Sequence, residues 1–282
     1  MLTTIFNASL KATINSRGAE LISLQNNSCE FIWEGNPAIW GKHSPVLFPI
    51  VGTLKNNSYQ YDGKNYSLSR HGFARDMEFE LLCKTENSVV FSLQSSKTTL
   101  KCYPFKFQLL IIYTLENNTL HTEYKVLNKS MKKMPFSIGA HPAFALPDFF
   151  ENYSLQFEEV ENPTYYLLEN DLIADETKIL NLNNNQLNLN YNLFENDALV
   201  FKTFPSKSLS ILKSGIPFLK INFNDFPNLG IWTKIQAPFI CIEPWFGYSD
   251  TVKSENDLFK KEGIQIINVN STFQSKFSIE IL

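Results

Sequence analysis

Phe107-Gln-Leu-Leu-Ile-Ile-Tyr-Thr-Leu115 and Leu120-His-Thr-Glu-Tyr-Lys-Val126, with a turn at Asn117-Asn118 between them, decide the fold. In the first run Phe107, Leu109, Ile111, Tyr113 and Leu115 take every second position; in the second, Leu120, Thr122, Tyr124 and Val126 do. A period of two puts such side chains on one face of an extended strand, because successive Cβ atoms point to opposite sides of the pleat. The same period returns at Phe273, Ser275, Phe277, Ile279 and Ile281. Shorter runs read as strands at 19–25, 77–83, 88–93, 199–203, 208–213, 229–234, 238–242 and 264–269, separated by Asn, Gly, Pro and Ser clusters at hairpin-like spacing. Helical signals are few. Ser254-Glu-Asn-Asp257 ahead of Leu258-Phe259, ending near Gly263, predicts one short capped helix. The Asn-rich stretch at 181–190 keeps alternating leucines and predicts a polar hairpin. No composition break or linker marks a boundary, so residues 1–282 are expected to form one domain. Many strands without crossover helices predict an all-β fold, a large antiparallel β-sandwich of two packed sheets.

Composition agrees. Of the 282 residues, 44% are hydrophobic and 19% charged, a globular balance with ample core material. Aromatics reach 14%, with 24 phenylalanines, and rings pack well on a pleated surface. They also supply the flat apolar faces that carbohydrate sites use. The net charge is −3 and no Lys or Arg run makes a basic stripe, which argues against nucleic-acid and anionic-membrane partners. Cys29, Cys83, Cys102 and Cys241 form no CxxC pair and have no histidine at zinc-finger spacing, so they are expected to be reduced and buried. The start Met1-Leu-Thr-Thr-Ile-Phe6 lacks a signal-peptide pattern, and no run approaches the roughly 20 apolar residues of a membrane helix. The expectation is a cytoplasmic protein, monomeric or homodimeric.

Histidine is scarce enough to weigh each copy. His121 falls on the face opposite Leu120 and Thr122 and reads as a solvated strand residue; His43, in Trp40-Gly-Lys-His-Ser44, reads as structural or as part of a rim. His71 stands in Ser69-Arg-His-Gly-Phe-Ala-Arg75, and two of the chain's three arginines bracket it. That segment is either a surface loop closed by an ion pair with Asp76 or a dense donor set suited to sugar hydroxyls or a phosphate. His141 and Glu243 each precede a proline, in Gly139-Ala-His-Pro-Ala-Phe144 and Cys241-Ile-Glu-Pro-Trp245. A following proline pushes the backbone toward the extended region and stiffens it. Glu243 also ends the apolar run Phe239-Ile-Cys-Ile242, so it is either a satisfied structural carboxylate or a buried group with a raised pKa. There is no G-x-S-x-G elbow, P-loop, G-x-G-x-x-G or H-E-x-x-H, and nothing singles out a glycosidase carboxylate pair.

Five segments in order resemble motifs of the aldose 1-epimerases, above all their LacX-like branch: FPIVG at 48–52, HGFAR at 71–75, GAHPAF at 139–144, NDALVF at 196–201 and CIEPWFGYSD at 241–250. The resemblance implies a galactose-mutarotase-like sandwich with a sugar cleft on a concave sheet. It implies His141 as general acid, Glu243 as general base, His71 near the ring oxygen of the sugar, Asp197 on hydroxyls, and Arg75 as a further binding residue. The implied reaction, anomer interconversion, needs a small sugar and no metal or other cofactor. It calls for Glu243 ionised and His141 protonated, a state that opposite charge favours and burial opposes. Many relatives carry an arginine where this chain has Thr53, so Lys55 either replaces that cation or the contact is missing. Few arginines favour a free aldohexose over a 6-phosphate. A hexose-phosphate epimerase with a cationic pocket of Arg75, Lys42 or Lys55, and a non-catalytic sugar-binding protein, are the alternatives.

Overall fold

The computed structural model of the chain describes residues 1–158 and 162–282. Strands Phe107–Glu116 and Thr119–Asn128 pair antiparallel around Asn117, whose φ of 52° is the left-handed turn conformation that asparagine tolerates. Leu120 lies opposite Leu115 and Tyr124 opposite Ile111, so both apolar sets fall on one face. Strand Thr272–Ile281 adds along the other edge with Leu120 facing Ile279 and Thr122 facing Phe277. These three are the middle of a nine-stranded sheet that runs from Gln186–Asn188 to Glu80–Lys84.

A second sheet of eight strands packs on that apolar face. Its order is Leu172–Ile179, Thr164–Glu169, Leu199–Phe201, Asn228–Trp232, Phe239–Phe246, Ile138–Ala140 and Val46–Leu47, with Ala143–Ala145 also paired to Phe239–Phe246. Phe246 of this sheet meets Phe273 of the first at 4.8 Å between ring centroids. The interface is continuous with the largest apolar cluster, which includes residues from Ile5 to Ile281.

The middle of the eight-stranded sheet is covered on both faces. Along Phe239–Phe246, Ile240 and Ile242 point into the main core, while Phe239, Cys241 and Trp245 belong to smaller clusters on the opposite side. Burial on both sides is why this segment reads as a continuous apolar run and not as an alternation. The second face carries the cleft.

Three expectations change. The helix after Ser254 is a single 3-10 turn, Leu258–Lys260; the cap is real, with the Asp257 carboxylate accepting from the Phe259 N–H at 2.9 Å. It stops because Lys261 leaves in an extended conformation (φ −56°, ψ 128°) to bury its ammonium against Asp250 at 3.1 Å. In the Asn-rich stretch the chain does reverse at Asn184-Asn185, both left-handed, but Gln186–Asn188 then pairs with Tyr153–Phe157. All four cysteines are free, yet only Cys241 is buried and Cys83 is exposed. Among the described residues no helix is long and apolar enough to cross a membrane.

Candidate active site

His141 directly follows strand Ile138–Ala140, and Glu243 lies in the neighbouring strand Phe239–Phe246, opposite Gly230. His141 Nε2 stands 3.2 Å from Glu243 Oε2, with the two side chains only 10% and 2% exposed. The atoms are not aligned as a hydrogen bond, so Glu243 Oε2 has no partner among the described residues, and neither has the other ring nitrogen, His141 Nδ1. Buried polar groups are normally paired, and open ones in a cleft mark a place where a ligand completes the set. Burial pushes the Glu243 carboxyl well above the usual range, against the pull of Arg70 and with the help of Asp197. Burial also pushes His141 down to about 3. Burial therefore outweighs charge attraction and favours carboxylic acid beside neutral imidazole, settling a balance that the sequence left open.

Aromatic rings box the imidazole. Trp40 stacks on His141 at 5.1 Å, and Trp232 and His71 meet it edge-on at 5.8 and 5.7 Å. The floor beside Glu243 is Trp245, whose indole lies across Gly139 and Gly230. A Cβ at either glycine would come within 2.4 or 2.3 Å of that ring, so both strands need glycine there.

His71 is held by the FPIVG segment. Its N–H donates to the Gly52 carbonyl at 2.8 Å, and the Gly52 N–H donates back to His71 Nδ1 at 3.1 Å. Neutral imidazole accepts at one nitrogen only, so Nε2 carries the hydrogen, and the 3.3 Å approach of Arg70 Nε to Nε2 is a contact between donors. Burial, seconded by His141 and the two nearby arginines, keeps His71 far below the usual histidine range. The same loop is tied to CIEPWFGYSD: Thr53 N–H donates to Ser249 Oγ at 2.9 Å, and Asp250 N–H to the Thr53 carbonyl at 2.8 Å. His71 (φ 67°) and Asp197 (φ 73°) both occupy the left-handed region, uncommon outside glycine.

His141, Glu243, His71, Arg75 and Asp197 all line one cleft of about 460 Å³, a size typical of small-molecule sites. The two weighed and set aside lie elsewhere. His43 sits 3.8 Å from the largely buried Glu20, and His121 lies 3.6 Å from Glu116 on the outer face of the nine-stranded sheet. Lys55 does not reach the cleft; its ammonium donates to the Val252 carbonyl at 2.7 Å. Lys42 pairs with Asp76 at 2.9 Å. Besides Arg75, Arg70 and Lys234 line the cleft, and Arg70 donates to Asp171 at 2.8 Å and approaches Asp197 at 3.8 Å. Sequence reasoning noticed Arg70 as a neighbour of His71 without assigning it to the site. It also missed Trp40, Trp232 and Trp245, although Trp245 lies in a quoted motif.

A family model described as aldose 1-epimerase matches residues 1–262. The chromosomal protein LacX of Lactococcus lactis subsp. lactis is 35% identical over 297 residues, covering 98% of each chain. The chain belongs to the aldose 1-epimerase family. A galactose mutarotase related enzyme from Lactobacillus acidophilus superimposes with a TM-score of 0.94 at 34% identity, covering 100% of this chain and 97% of that one. A galactose mutarotase-like protein from Lactobacillus casei ATCC 334 gives 0.92 at 30% identity, with both chains fully covered. For this aldose 1-epimerase family member, the five motifs spread over residues 48–250 all contribute residues to, or beside, the one cleft.

Proposed function

We propose that the protein is a mutarotase that interconverts the α and β anomers of a free aldohexose. The observation that carries this reading is the buried His141–Glu243 pair, 3.2 Å apart and unsatisfied, at the bottom of a sugar-sized cleft. Opening a cyclic hemiacetal requires the anomeric hydroxyl to lose a proton while the ring oxygen gains one. Glu243 as carboxylate takes the first and His141 as imidazolium gives the second, each transfer contributing typically about 10²- to 10⁴-fold. The step leaves Glu243 protonated, His141 neutral and the sugar an open-chain aldehyde. Rotation about C1–C2 and reversal of both transfers closes the other anomer. The neutral pair that burial favours is thus the pair that accompanies the open-chain sugar. His71 presents Nε2–H to the sugar, Asp197 accepts from hydroxyls, and Arg75 braces the loop by donating to the Arg70 carbonyl at 2.9 Å.

Each of the cleft's cations already has an acidic or carbonyl neighbour, which supports a neutral sugar, although Arg75 Nε makes no hydrogen bond. Arg70 faces Asp171 and Asp197, Arg75 lies 3.7 Å from Asp76, and Lys234 donates to the Ile39 carbonyl at 2.7 Å. A phosphate brings about two negative charges and is normally met by unpaired Arg forks or converging cations. The test is polarimetry over a panel of free and phosphorylated aldoses. The proposal predicts catalysed anomer exchange with glucose or galactose preferred over the 6-phosphate. A tenfold or greater preference for the phosphate, weakened by salt and by Arg75→Ala, overturns the substrate assignment; no catalysed exchange with any sugar overturns the reaction.

A further inference from the structure

Cys241 and Glu243 are two residues apart on strand Phe239–Phe246, so their side chains leave the same face of the sheet. His141 packs against both. One ligand atom from each of His141, Cys241 and Glu243 lies within 4.8 Å of the other two, and all three residues are buried. Among the described residues no other trio of His, Cys, Asp or Glu converges in this way. Cys241 plays no part in the proton transfers above, yet it is the one buried cysteine of the chain.

We propose that His141, Cys241 and Glu243 form a binding site for a thiophilic divalent cation of the zinc type, and that the cation shuts the cleft to sugar. The second half rests on the mutarotase reading; the first does not. One thiol sulfur, one imidazole nitrogen and one carboxylate oxygen make a donor set that zinc accepts and that the hard cations magnesium and calcium do not favour. The 3.2 Å between His141 Nε2 and Glu243 Oε2 matches the edge of a tetrahedron, about 3.3 Å for ligands at about 2.0–2.1 Å from a common centre. Glu243 Oε2 has no hydrogen-bond partner that a metal must displace. Thiolate and carboxylate together balance the two positive charges, and the protons displaced from the ligands go to solvent. Trp40 and Trp232 hold the imidazole plane in place. Three protein ligands leave a fourth position for water. His141 Nδ1 lacks the acceptor that usually supports a ligating histidine, worth about ten- to a hundredfold in affinity. Binding is therefore expected in the micromolar range, weaker than a structural zinc site.

The experiment titrates chelator-treated protein with zinc by calorimetry and with cobalt(II) by absorption, where a thiolate ligand adds a near-ultraviolet charge-transfer band. A variant with Cys29, Cys83 and Cys102 all changed to serine removes the other thiols. The proposal expects that variant to bind one cation with the thiolate band intact. Cys241→Ser should lose the band and at least tenfold in zinc affinity, keep mutarotase activity without metal, and resist zinc inhibition. Glu243→Gln in the triple-serine background, with folding checked by circular dichroism, should also bind at least tenfold more weakly. No binding by the triple-serine variant, or equal binding by wild type and Cys241→Ser, overturns the site. Binding without any mutarotase activity in the unmetallated protein retains the site and removes the proposed function instead.

Discussion

Of the three His–Glu pairs among the described residues, two have similar lengths and opposite character. His121 and Glu116 meet at 3.6 Å on the outer face of the nine-stranded sheet, their side chains 37% and 72% exposed. His141 and Glu243 meet at 3.2 Å on the eight-stranded sheet, at 10% and 2%. Water screens the first pair, and exposed pairs of this kind contribute about 0–1 kcal/mol. In the second, desolvation overrides attraction and sets both groups in their neutral forms. Proximity of an acid and a base is therefore not what makes a site. The two pairs differ in burial, which Phe239–Phe246, covered on both faces, supplies for Glu243.

The sharpest way to break this comparison is to remove each imidazole in turn. His141→Asn should lower kcat for anomer exchange by about 10³-fold, within the usual range for a positioned acid or base, while His121→Asn stays within a factor of two. Similar losses in the two variants, both folded, would mean that burial does not separate them.

A second contrast uses two glycines of almost identical backbone. Gly72 (φ 71°) follows His71, and a Cβ there would lie 2.3 Å from the Phe48 carbonyl oxygen; Gly63 (φ 72°), in the hairpin of Ser58–Tyr61 with Lys64–Ser67, has nothing within 4 Å. Gly72→Ala should cost at least about 2 kcal/mol in urea unfolding and Gly63→Ala about 1 kcal/mol, from backbone strain alone. Equal costs would show that the loop carrying His71 is not locked by close packing.

Two cations give a smaller effect. Arg70→Gln should raise KM for glucose about tenfold with a lesser change in kcat, whereas Lys55→Ala, held on the Val252 carbonyl outside the cleft, leaves KM unchanged. The reverse pattern would return the missing cation to Lys55.

The smallest effect is on stability against pH. His71 and His141 are depressed in the folded state, so below their ordinary value of 6.5 the unfolded chain binds more protons and stability falls as pH drops. Glu243 is raised, so above 4.5 the folded state keeps a proton that the unfolded chain loses, which acts in the opposite sense. Two histidines against one carboxyl leave a net loss of about 1 kcal/mol per pH unit between pH 6 and pH 5. His71→Asn or His141→Asn should flatten that slope in urea midpoints; an unchanged slope in both would mean that neither histidine is held neutral.

The outer sheet was legible because its inner residues alternate with solvated ones: Phe107 to Leu115 and Leu120 to Val126 carry their period into the structure unchanged. The family motifs pointed to His71, Arg75, His141, Asp197 and Glu243, and the structure gathers all five in one cleft. What local pattern could not show was how the cleft is enclosed. Trp40 and Trp232 reach His141 from segments about 100 and 90 residues away in sequence, distances that no period records. The left-handed backbone of His71 is held by the long-range His71 N–H to Gly52 carbonyl bond, and that of Asp197 by a local turn onto the Phe194 carbonyl. Arg70 looked like a flank of His71 because its partners, Asp171 and Asp197, come from the far side of the cleft. The protonation of the pair also depended on a burial that only the folded chain defines.

The most direct measurement is the catalysed rate of glucose anomer exchange by polarimetry for wild type, Glu243→Gln and Glu116→Gln at equal concentration and neutral pH. Gln keeps the shape of Glu243 and its hydrogen-bonding capacity but removes the carboxyl proton chemistry. The account predicts clear acceleration over buffer by wild type, the same by Glu116→Gln, and a loss of about 10²-fold or more in a folded Glu243→Gln protein. Near-normal exchange by folded Glu243→Gln would contradict it and remove the buried pair from the reaction.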